Sequence, residues 1–517
     1  MNAHELPILL DRTSELPLAA QLASALRLAI LGGVLRHDEA LPSTRALAAS
    51  LRVSRGTVVA AYDQLAGEGY LLASPGSATR VMVERSDALA GAVDGTRGHH
   101  SRGRAGTSAS AQSPASNRPI ASNQSPASAT PGSTPLPLID LAPGHPSTRT
   151  LVDPAWTAAW RAAVTASGRS DSPPASGTLE LRTAIADHVR RARGLACRPD
   201  DVIVTAGTSD ALASIGFALG ALAGGETAGS GTGTEPAATI RTVTPLIAVE
   251  DPGYPTARRV LRRVGAQLLP VRTDPNGIDL AELAALVPAP HAVLVTPSHQ
   301  YPLGSSLSVQ GRLDLLDWAH AADAVVIEDD YDSEFRFGAA PLPALATLDT
   351  SGRVALVGSF SKTVTPWIRC GYIIATGNLG TALREVRDDL GPSVSGVQQA
   401  ALAHYLDSGG LARNVTRVRR EYAHRRALVI STLGALPGVR LAGLDGGLHV
   451  VVRTAADASA LITQAAARGV RVASLADYTV RDRGQHGLVL GYGSPTDLEL
   501  GRALDVLARL LTAPAGN

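Results

Sequence analysis

Apolar residues recur at helical spacing across Leu18–Gly32, and Gly32-Gly33 ends the run. A second helical pattern opens after Leu41-Pro42-Ser43 and covers Thr44–Leu51. Arg52-Val53-Ser54 reads as a short turn, with Ser54 placed to cap a third helix that runs to about Ala66 and stops at Gly67–Gly69. Tyr70–Ala73 and Thr79–Val83 then read as two strands around Pro75-Gly76-Ser77. The pattern over residues 14–84 therefore predicts three helices followed by a two-stranded wing.

Periodicity is lost over residues 85–137, as in Ser101–Gly106 and Ala127–Pro137, where Ser, Ala, Gly, Pro, Asn and Thr dominate. Such a stretch buries too little apolar surface to offset its ordering entropy, so a flexible linker is expected. It is mildly basic, with Arg85, Arg97, Arg102, Arg104 and Arg118 against Asp87 and Asp94. Patterned sequence resumes at 138 and continues to 517, interrupted by a low-complexity stretch at Gly224–Thr239 that suits a surface insertion. In this third region, helical patterns such as Leu179–Arg193, Ser209–Leu222 and Gly311–Ala322 alternate with short apolar runs. The runs Val202–Thr205, Ile247–Val249, Ala292–Val295, Ala324–Ile327 and Ala355–Val357 read as buried strands. That alternation predicts an α/β fold with a largely parallel sheet covered by helices. Helix patterns at Val397–Leu406, Leu411–Leu433 and Asp497–Leu511 suit a smaller α+β lobe.

Composition narrows the function classes. A 517-residue chain that is 45% hydrophobic has material for two or three domains, and its net charge of +1 excludes a basic nucleic-acid coat or an acidic tail protein. The two cysteines, Cys197 and Cys370, are far apart and lack metal-ligand spacing, which points to a reducing compartment, against a disulfide framework, and to no metal site. No apolar run approaches the ~20 residues of a membrane span and no signal pattern opens the chain, so a cytoplasmic protein without a membrane partner is expected.

One count bears on chemistry. Of the 47 basic side chains only Lys362 is a lysine. Arginine replaces lysine as a generic charge but not as a neutral amine that attacks a carbonyl. Lys362 follows an apolar strand in Gly358-Ser359-Phe360-Ser361-Lys362, with Arg369 seven residues on as a cationic clamp for a phosphate. Upstream, Glu328-Asp329-Asp330-Tyr331 ends another strand, at the sheet edge where open α/β folds bind ligands. A carboxylate there can keep a pyridine nitrogen protonated. Thr205-Ala206-Gly207-Thr208-Ser209 turns from strand to helix, whose free amides suit a phosphate. Asp251-Pro252-Gly253-Tyr254 offers an aromatic face, and His299-Gln300-Tyr301-Pro302 offers polar contacts.

The N-terminal elements have the order of a winged helix-turn-helix, whose third helix enters the DNA major groove. Ser54, Arg55 and Thr57 lie at the start of that helix, Arg45 is placed for the backbone or a guanine edge, and Gly76 would let the wing tip approach the minor groove. Over residues 1–83 seven acidic side chains balance seven basic ones, so charge alone does not decide.

The strings L-P-S-T-R-x-L-A and V-S-R-x-T-V-x-x-A-Y-x-x-L-x-x-E-G-Y resemble the winged helix-turn-helix of GntR regulators. V-E-D-P-G-Y-P-x-A-R, V-T-P-S-H-Q-Y-P-x-G, E-D-D-Y-D-S-E-F-R and G-S-F-S-K-T-x-x-P-x-x-R-x-G-Y resemble a fold-type I aminotransferase-like domain, and the whole chain resembles the MocR subfamily of GntR regulators. The resemblance implies pyridoxal 5'-phosphate as cofactor, held as a Schiff base on Lys362. It implies Asp329 at the pyridinium, Tyr331 at the phenolic oxygen and Tyr254 against the ring. Thr208, Ser359, Ser361 and Arg369 would surround the phosphate. Tyr301 stands where related aminotransferases carry an asparagine. It further implies a double-stranded DNA operator, a small-molecule effector (an amine, an amino acid or a B6 vitamer), and a head-to-tail, domain-swapped homodimer. Three departures bear on turnover. Ser172-Pro173-Pro174-Ala175-Ser176-Gly177 lacks a tyrosine that would reach the partner's phosphate, and Ser209-Asp210 replaces two glutamines. The arginine expected before the strand Gly487–Tyr492 is missing, with Arg481 and Arg483 only nearby. A metabolite-sensing regulator is therefore expected, with a working aminotransferase bearing a DNA-binding domain as the alternative.

Overall fold

The computed structural model describes residues 10, 17–31, 35, 37–72, 79–82, 138–166, 170–224, 243–337, 343–481, 484 and 486–512. Gly76, the expected linker over 85–137, residues 225–239 of the insertion and Arg483 lie outside the described residues.

The N-terminal unit consists of α1 (Leu18–Leu31), α2 (Thr44–Leu51), α3 (Arg55–Gly67), β1 (Leu71–Leu72) and β2 (Arg80–Val81). The two strands pair antiparallel, forming the wing. Ser43 and Ser54 cap α2 and α3 by accepting from Ala46 N and Thr57 N, which satisfies amides that a helix start leaves unpaired. Leu22, Leu26, Leu47, Val58 and Leu65 form the core, and the Tyr62 hydroxyl donates to the Pro42 carbonyl at 2.9 Å, fixing the turn before α2. Glu68, 3% exposed, is matched by Arg27 at 2.6 Å. Val309 of the large domain completes this core.

In the large domain the elements are β3 (Ile139–Asp140), α4 (Pro154–Ala166), α5 (Leu179–Arg193), β4 (Val202–Thr205), α6 (Thr208–Gly224), β5 (Leu246–Asp251), α7 (Pro255–Arg263), β6 (Gln267–Asp274), β7 (Gly277–Ile278), α8 (Leu280–Ala284), β8 (Ala292–Val295), α9 (Val309–Ala321), β9 (Val325–Asp330), β10 (Val354–Ser359), β11 (Gly371–Ile374) and α10 (Gly377–Leu390). Their sheet has the order β4-β11-β10-β9-β8-β5-β6-β7. Strands β10, β9, β8, β5 and β6 are parallel, whereas β11 runs antiparallel to both β10 and β4. The expected parallel sheet thus carries two reversed strands, β11 within it and β7 at its edge. Reversal brings the start of β11 to the same edge as the ends of β4 and β10, and that edge is where the site lies.

The last segment holds α11 (Gly396–Asp407), α12 (Gly410–Leu433), β12 (Arg440–Ala442), β13 (His449–Arg453), α13 (Ala458–Ala467), β14 (Val470–Arg471), β15 (Ala473–Ser474), β16 (Leu488–Gly491) and α14 (Asp497–Thr512). Its antiparallel sheet, β12-β13-β16-β15, and its helices make the expected smaller lobe. Strand β3 pairs with β14, so the first residues of the large domain belong to this lobe and then cross toward the sheet edge. No helix among the described residues is long and apolar enough to cross a membrane.

Candidate functional site

A cavity of about 390 Å³ opens between the sheet edge and the small lobe, a size suited to a cofactor-sized molecule. Lys362, Asp329, Tyr331, Tyr254, Tyr301, Thr208, Ser359, Ser361 and Arg369 all line it. Nine residues spread over some 160 positions of sequence meet because β4, β5, β8, β9 and β10 end at one edge of the sheet.

The acidic run in β9 shows how the site is selected. Successive side chains of a strand point to opposite faces. Glu328 accepts from Leu345 N at 2.7 Å and Ala346 N at 2.9 Å, and Asp330 pairs with the buried Arg193 at 2.6 Å. Asp329 faces the cavity between them, 5% exposed, and its Oδ1 has no hydrogen-bond partner. Burial raises its carboxyl to about 7, with Asp330, Glu250 and Asp332 adding to the rise and Lys362 opposing it. A buried carboxylate without a partner is costly, and this oxygen is left open toward the cavity.

Lys362 follows β10, and its Nζ donates to the carbonyl of Gly144 in the crossing segment after β3. Gly144 has φ +95, and a Cβ there would stand 3.3 Å from Nζ, so glycine is needed for the backbone to close on the amine. Burial lowers the Lys362 ammonium from its ordinary value, while Asp332 and Asp329 hold it up. An amine so shifted is a better nucleophile toward an aldehyde.

At the other end of the cavity α6 begins at Thr208, one residue earlier than its pattern suggests. Asp210 is turned away from the cavity. Its Oδ2 accepts from Ala206 N at 2.8 Å and its Oδ1 meets the buried Arg387 at 3.1 Å. This acid therefore caps the turn, and its charge is matched from behind. Ser359 Oγ donates to Ser361 Oγ at 3.0 Å and accepts from Ser361 N at 3.1 Å. Arg369, in the left-handed region at φ +40, brings its guanidinium over Gly207, where a Cβ would stand 3.8 Å from Nη1. Hydroxyls, helix amides and a guanidinium thus converge, as a phosphate requires.

The remaining motifs support these groups. Glu250 accepts from Thr296 N at 3.1 Å and Gln300 Nε2 at 3.2 Å, and Gln300 Nε2 also reaches the Pro252 carbonyl at 2.9 Å. That interlock of two strand ends places Tyr254 and Tyr301 with ring centroids 5.8 Å apart. Tyr301 also stands 5.5 Å from Tyr331, 5.1 Å from His449 and 5.4 Å from Tyr478. Tyr301 is thus the centre of an aromatic cluster. His449 and Tyr478, both lining the cavity, come from the small lobe, and no local pattern marks them. Asp332 and His299 are hydrogen-bonded at 3.0 Å. With His449 they approach metal-ligand spacing, within 4.8 Å of one another; one nitrogen of each imidazole is engaged, His299 Nδ1 by Tyr331 and His449 Nε2 by the Pro302 carbonyl.

The arginines lining the cavity, among the described residues, are Arg259 and Arg369. Arg481 pairs with Glu282 at 2.9 Å instead. In the N-terminal unit Arg45, Ser54 and Arg55 are exposed and Thr57 is half-buried. The Ser54 hydroxyl is engaged by Thr57, at 3.1 Å from its amide and 2.8 Å from its hydroxyl, and Arg55 Nε lies 3.4 Å from Thr44 Oγ1.

Comparison with known proteins matches residues 137–486 to the family described as aminotransferase class I and II, and residues 18–81 to the bacterial regulatory proteins of the gntR family. The chain is 39% identical to the HTH-type pyridoxine biosynthesis transcriptional regulator PdxR of Corynebacterium glutamicum, over 95% of each chain. It is 32% identical to the probable rhizopine catabolism regulatory protein MocR of Rhizobium meliloti, over 94% of this chain and 92% of that one. Among solved structures, an archaeal alanine:glyoxylate aminotransferase superposes with a TM-score of 0.64 at 22% identity, covering 73% of this chain and 91% of that one.

Proposed function

The chain belongs to the MocR-type GntR regulators, which join a helix-turn-helix domain to a fold-type I aminotransferase domain, and on that premise we propose that a B6 vitamer, or a small amine or amino acid that reacts with it, controls operator binding from the cavity. The observation that carries the reading is the unpartnered, buried Asp329 Oδ1 in one cavity with the depressed Lys362 amine. The donor set fits pyridoxal phosphate. Asp329 would meet the pyridinium, Tyr331 the phenolic oxygen and Tyr254 the ring face. Thr208, Ser359, Ser361 and Arg369 would hold the phosphate, and Lys362 the aldehyde carbon. When bound, the cofactor supplies an aldehyde that condenses with amines and a ring that withdraws electrons.

The protein's part is to bind, orient and report. The Gly144 carbonyl holds the Lys362 amine toward the cavity. Tyr254 and Tyr301 would wall the ring, and Arg259, exposed on the cavity lining, is the cation left to meet an anionic group on an effector. A ligand shifts the DNA-binding state only through different affinities for two arrangements of the lobes. The relative named for pyridoxine biosynthesis, similar over 95% of both chains, favours a B6 vitamer over other amines. Arg45, Ser54, Arg55, Thr57 and Gly76 would contact a double-stranded operator. In a cytoplasmic head-to-tail homodimer, the contact that Val309 makes with the N-terminal core would be made between subunits. Trp367, 93% exposed beside the cavity-lining Pro366, is an apolar surface suited to a second copy.

The test measures operator binding at fixed ionic strength with and without pyridoxal phosphate, pyridoxamine phosphate and amino acids, beside a multiple-turnover assay with amino donors and keto acids. Operator affinity that moves with a vitamer, with no sustained turnover, is the expected result. Turnover at ordinary enzyme rates with vitamer-independent DNA binding would favour the aminotransferase alternative.

A further inference from the structure

Behind the tyrosine assigned to the ring's phenolic oxygen lies a buried pair that none of these roles uses. Asp332 is 1% exposed and His299 is 4% exposed. His299 Nδ1 stands 3.0 Å from Asp332 Oδ2 and 3.0 Å from the Tyr331 hydroxyl. A carboxylate oxygen only accepts, so the partners require the proton on Nδ1. The opposite tautomer would set a ring lone pair against the carboxylate, and would bury an N–H on Nε2, which has no hydrogen-bond partner. Gly447 holds the pair from behind. A Cβ at that position, which has φ +71, would stand 2.4 Å from Asp332 Oδ2 and 2.6 Å from His299 Cε1, so any larger residue would push the pair apart.

An Nδ1–H shared between Asp332 and Tyr331 gives the phenol oxygen a donor from below. With Nδ1–H donated to its oxygen, the Tyr331 hydroxyl can turn its own proton away from the nearby Asp332 carboxylate and into the cavity that Tyr331 lines. We propose that Asp332 and His299 form a positioning pair that fixes Tyr331 as a hydrogen-bond donor to an anionic aryl oxygen of the bound ring. The inference rests on the pyridoxal phosphate reading of the cavity. Its logic is that of an outer carboxylate fixing a histidine tautomer, here with a phenol in place of a metal. The ionisable groups that face the pair from neighbouring elements are Lys362, Asp329, Arg336, Tyr301, His449 and Tyr492. Burial pushes His449 down to about 4 and the two tyrosines upward, so these three are uncharged near neutrality and Arg336 keeps its charge.

A donor to the anionic ring oxygen lowers that oxygen's hold on a neighbouring proton. Removing it raises the pH midpoint of the visible absorption that depends on Lys362, on the order of one unit for one hydrogen bond. The experiment titrates that band in the full-length protein loaded with pyridoxal phosphate, for Tyr331→Phe, His299→Leu, His299→Asn and His299→Gln. The asparagine amide puts an N–H where Nδ1–H stands, and the glutamine amide puts it where Nε2 stands. Expected are an upward shift in Tyr331→Phe, the same shift in His299→Leu and His299→Gln, a midpoint near wild type in His299→Asn, and no added shift in His299→Leu combined with Tyr331→Phe. A wild-type midpoint in His299→Gln, or full additivity in the double variant, overturns the inference. If His299→Leu does not fold, the asparagine and glutamine variants carry the test between them. A wild-type protein with no Lys362-dependent band would remove the cofactor reading itself, which is a separate failure.

Discussion

The two functional surfaces of this protein are built on opposite terms. In the N-terminal unit the groups assigned to DNA stand in solvent: Arg45, Ser54 and Arg55 are exposed on helices whose apolar faces do the packing. In the large domain the groups assigned to the cofactor are drawn into a cavity where burial shifts their ionisation, as at Asp329 and Lys362. An exposed arginine is removed at little cost to folding, whereas a buried carboxylate or its partner is not. The first surface is therefore tuned by substitution, and the second is held by its surroundings.

Lys362→Ala breaks the comparison at its strongest point. The visible band of the loaded protein is expected to disappear completely, with circular dichroism and DNA binding by the unliganded protein retained. Asp329→Asn comes next. Loss of a charged partner for the pyridinium is worth about 1.5–3 kcal/mol, so cofactor retention should fall roughly tenfold to a hundredfold, measured by equilibrium dialysis.

A pH dependence separates the loaded from the empty cavity. Asp329 and Glu250 are raised from 3.8 and 4.5 to about 7 in the folded chain, chiefly by burial. A folded value above the unfolded one means a contribution that is present at low pH and is lost as pH rises from about 4 through about 7. The cofactor-free protein should melt lower at pH 8 than at pH 5, and loading should narrow the difference because a pyridinium holds Asp329 ionised. Equal dependence in both forms would contradict the role given to Asp329.

The exposed surface gives smaller effects. Arg55→Ala should weaken operator binding by about 1–3 kcal/mol with an unchanged cofactor spectrum, measured by fluorescence anisotropy. Ser54→Ala removes the cap of α3 and should cost about 1 kcal/mol of stability to the N-terminal unit, read from its denaturant midpoint. If Arg55→Ala instead altered the cofactor spectrum, the two surfaces would be more tightly joined than their construction suggests.

Sequence alone determined the elements and the chemistry each could carry. Leu179–Arg193, Val202–Thr205 and Ala292–Val295 have the bounds their patterns predict, and Ser54 caps α3 as its position suggests. Local spacing is sufficient there because helix periodicity, strand runs and caps involve neighbours only. The motif around Lys362 likewise marks its own strand end. Tertiary structure decided which of three adjacent acids serves the cavity, because Glu328 and Asp330 are claimed by the 345–346 amides and by Arg193, distant in sequence. It also turned Asp210 away, toward Arg387, and brought His449 and Tyr478 from the small lobe to Tyr301. These outcomes depend on contacts across 17 to 177 residues, whose partners no local pattern names.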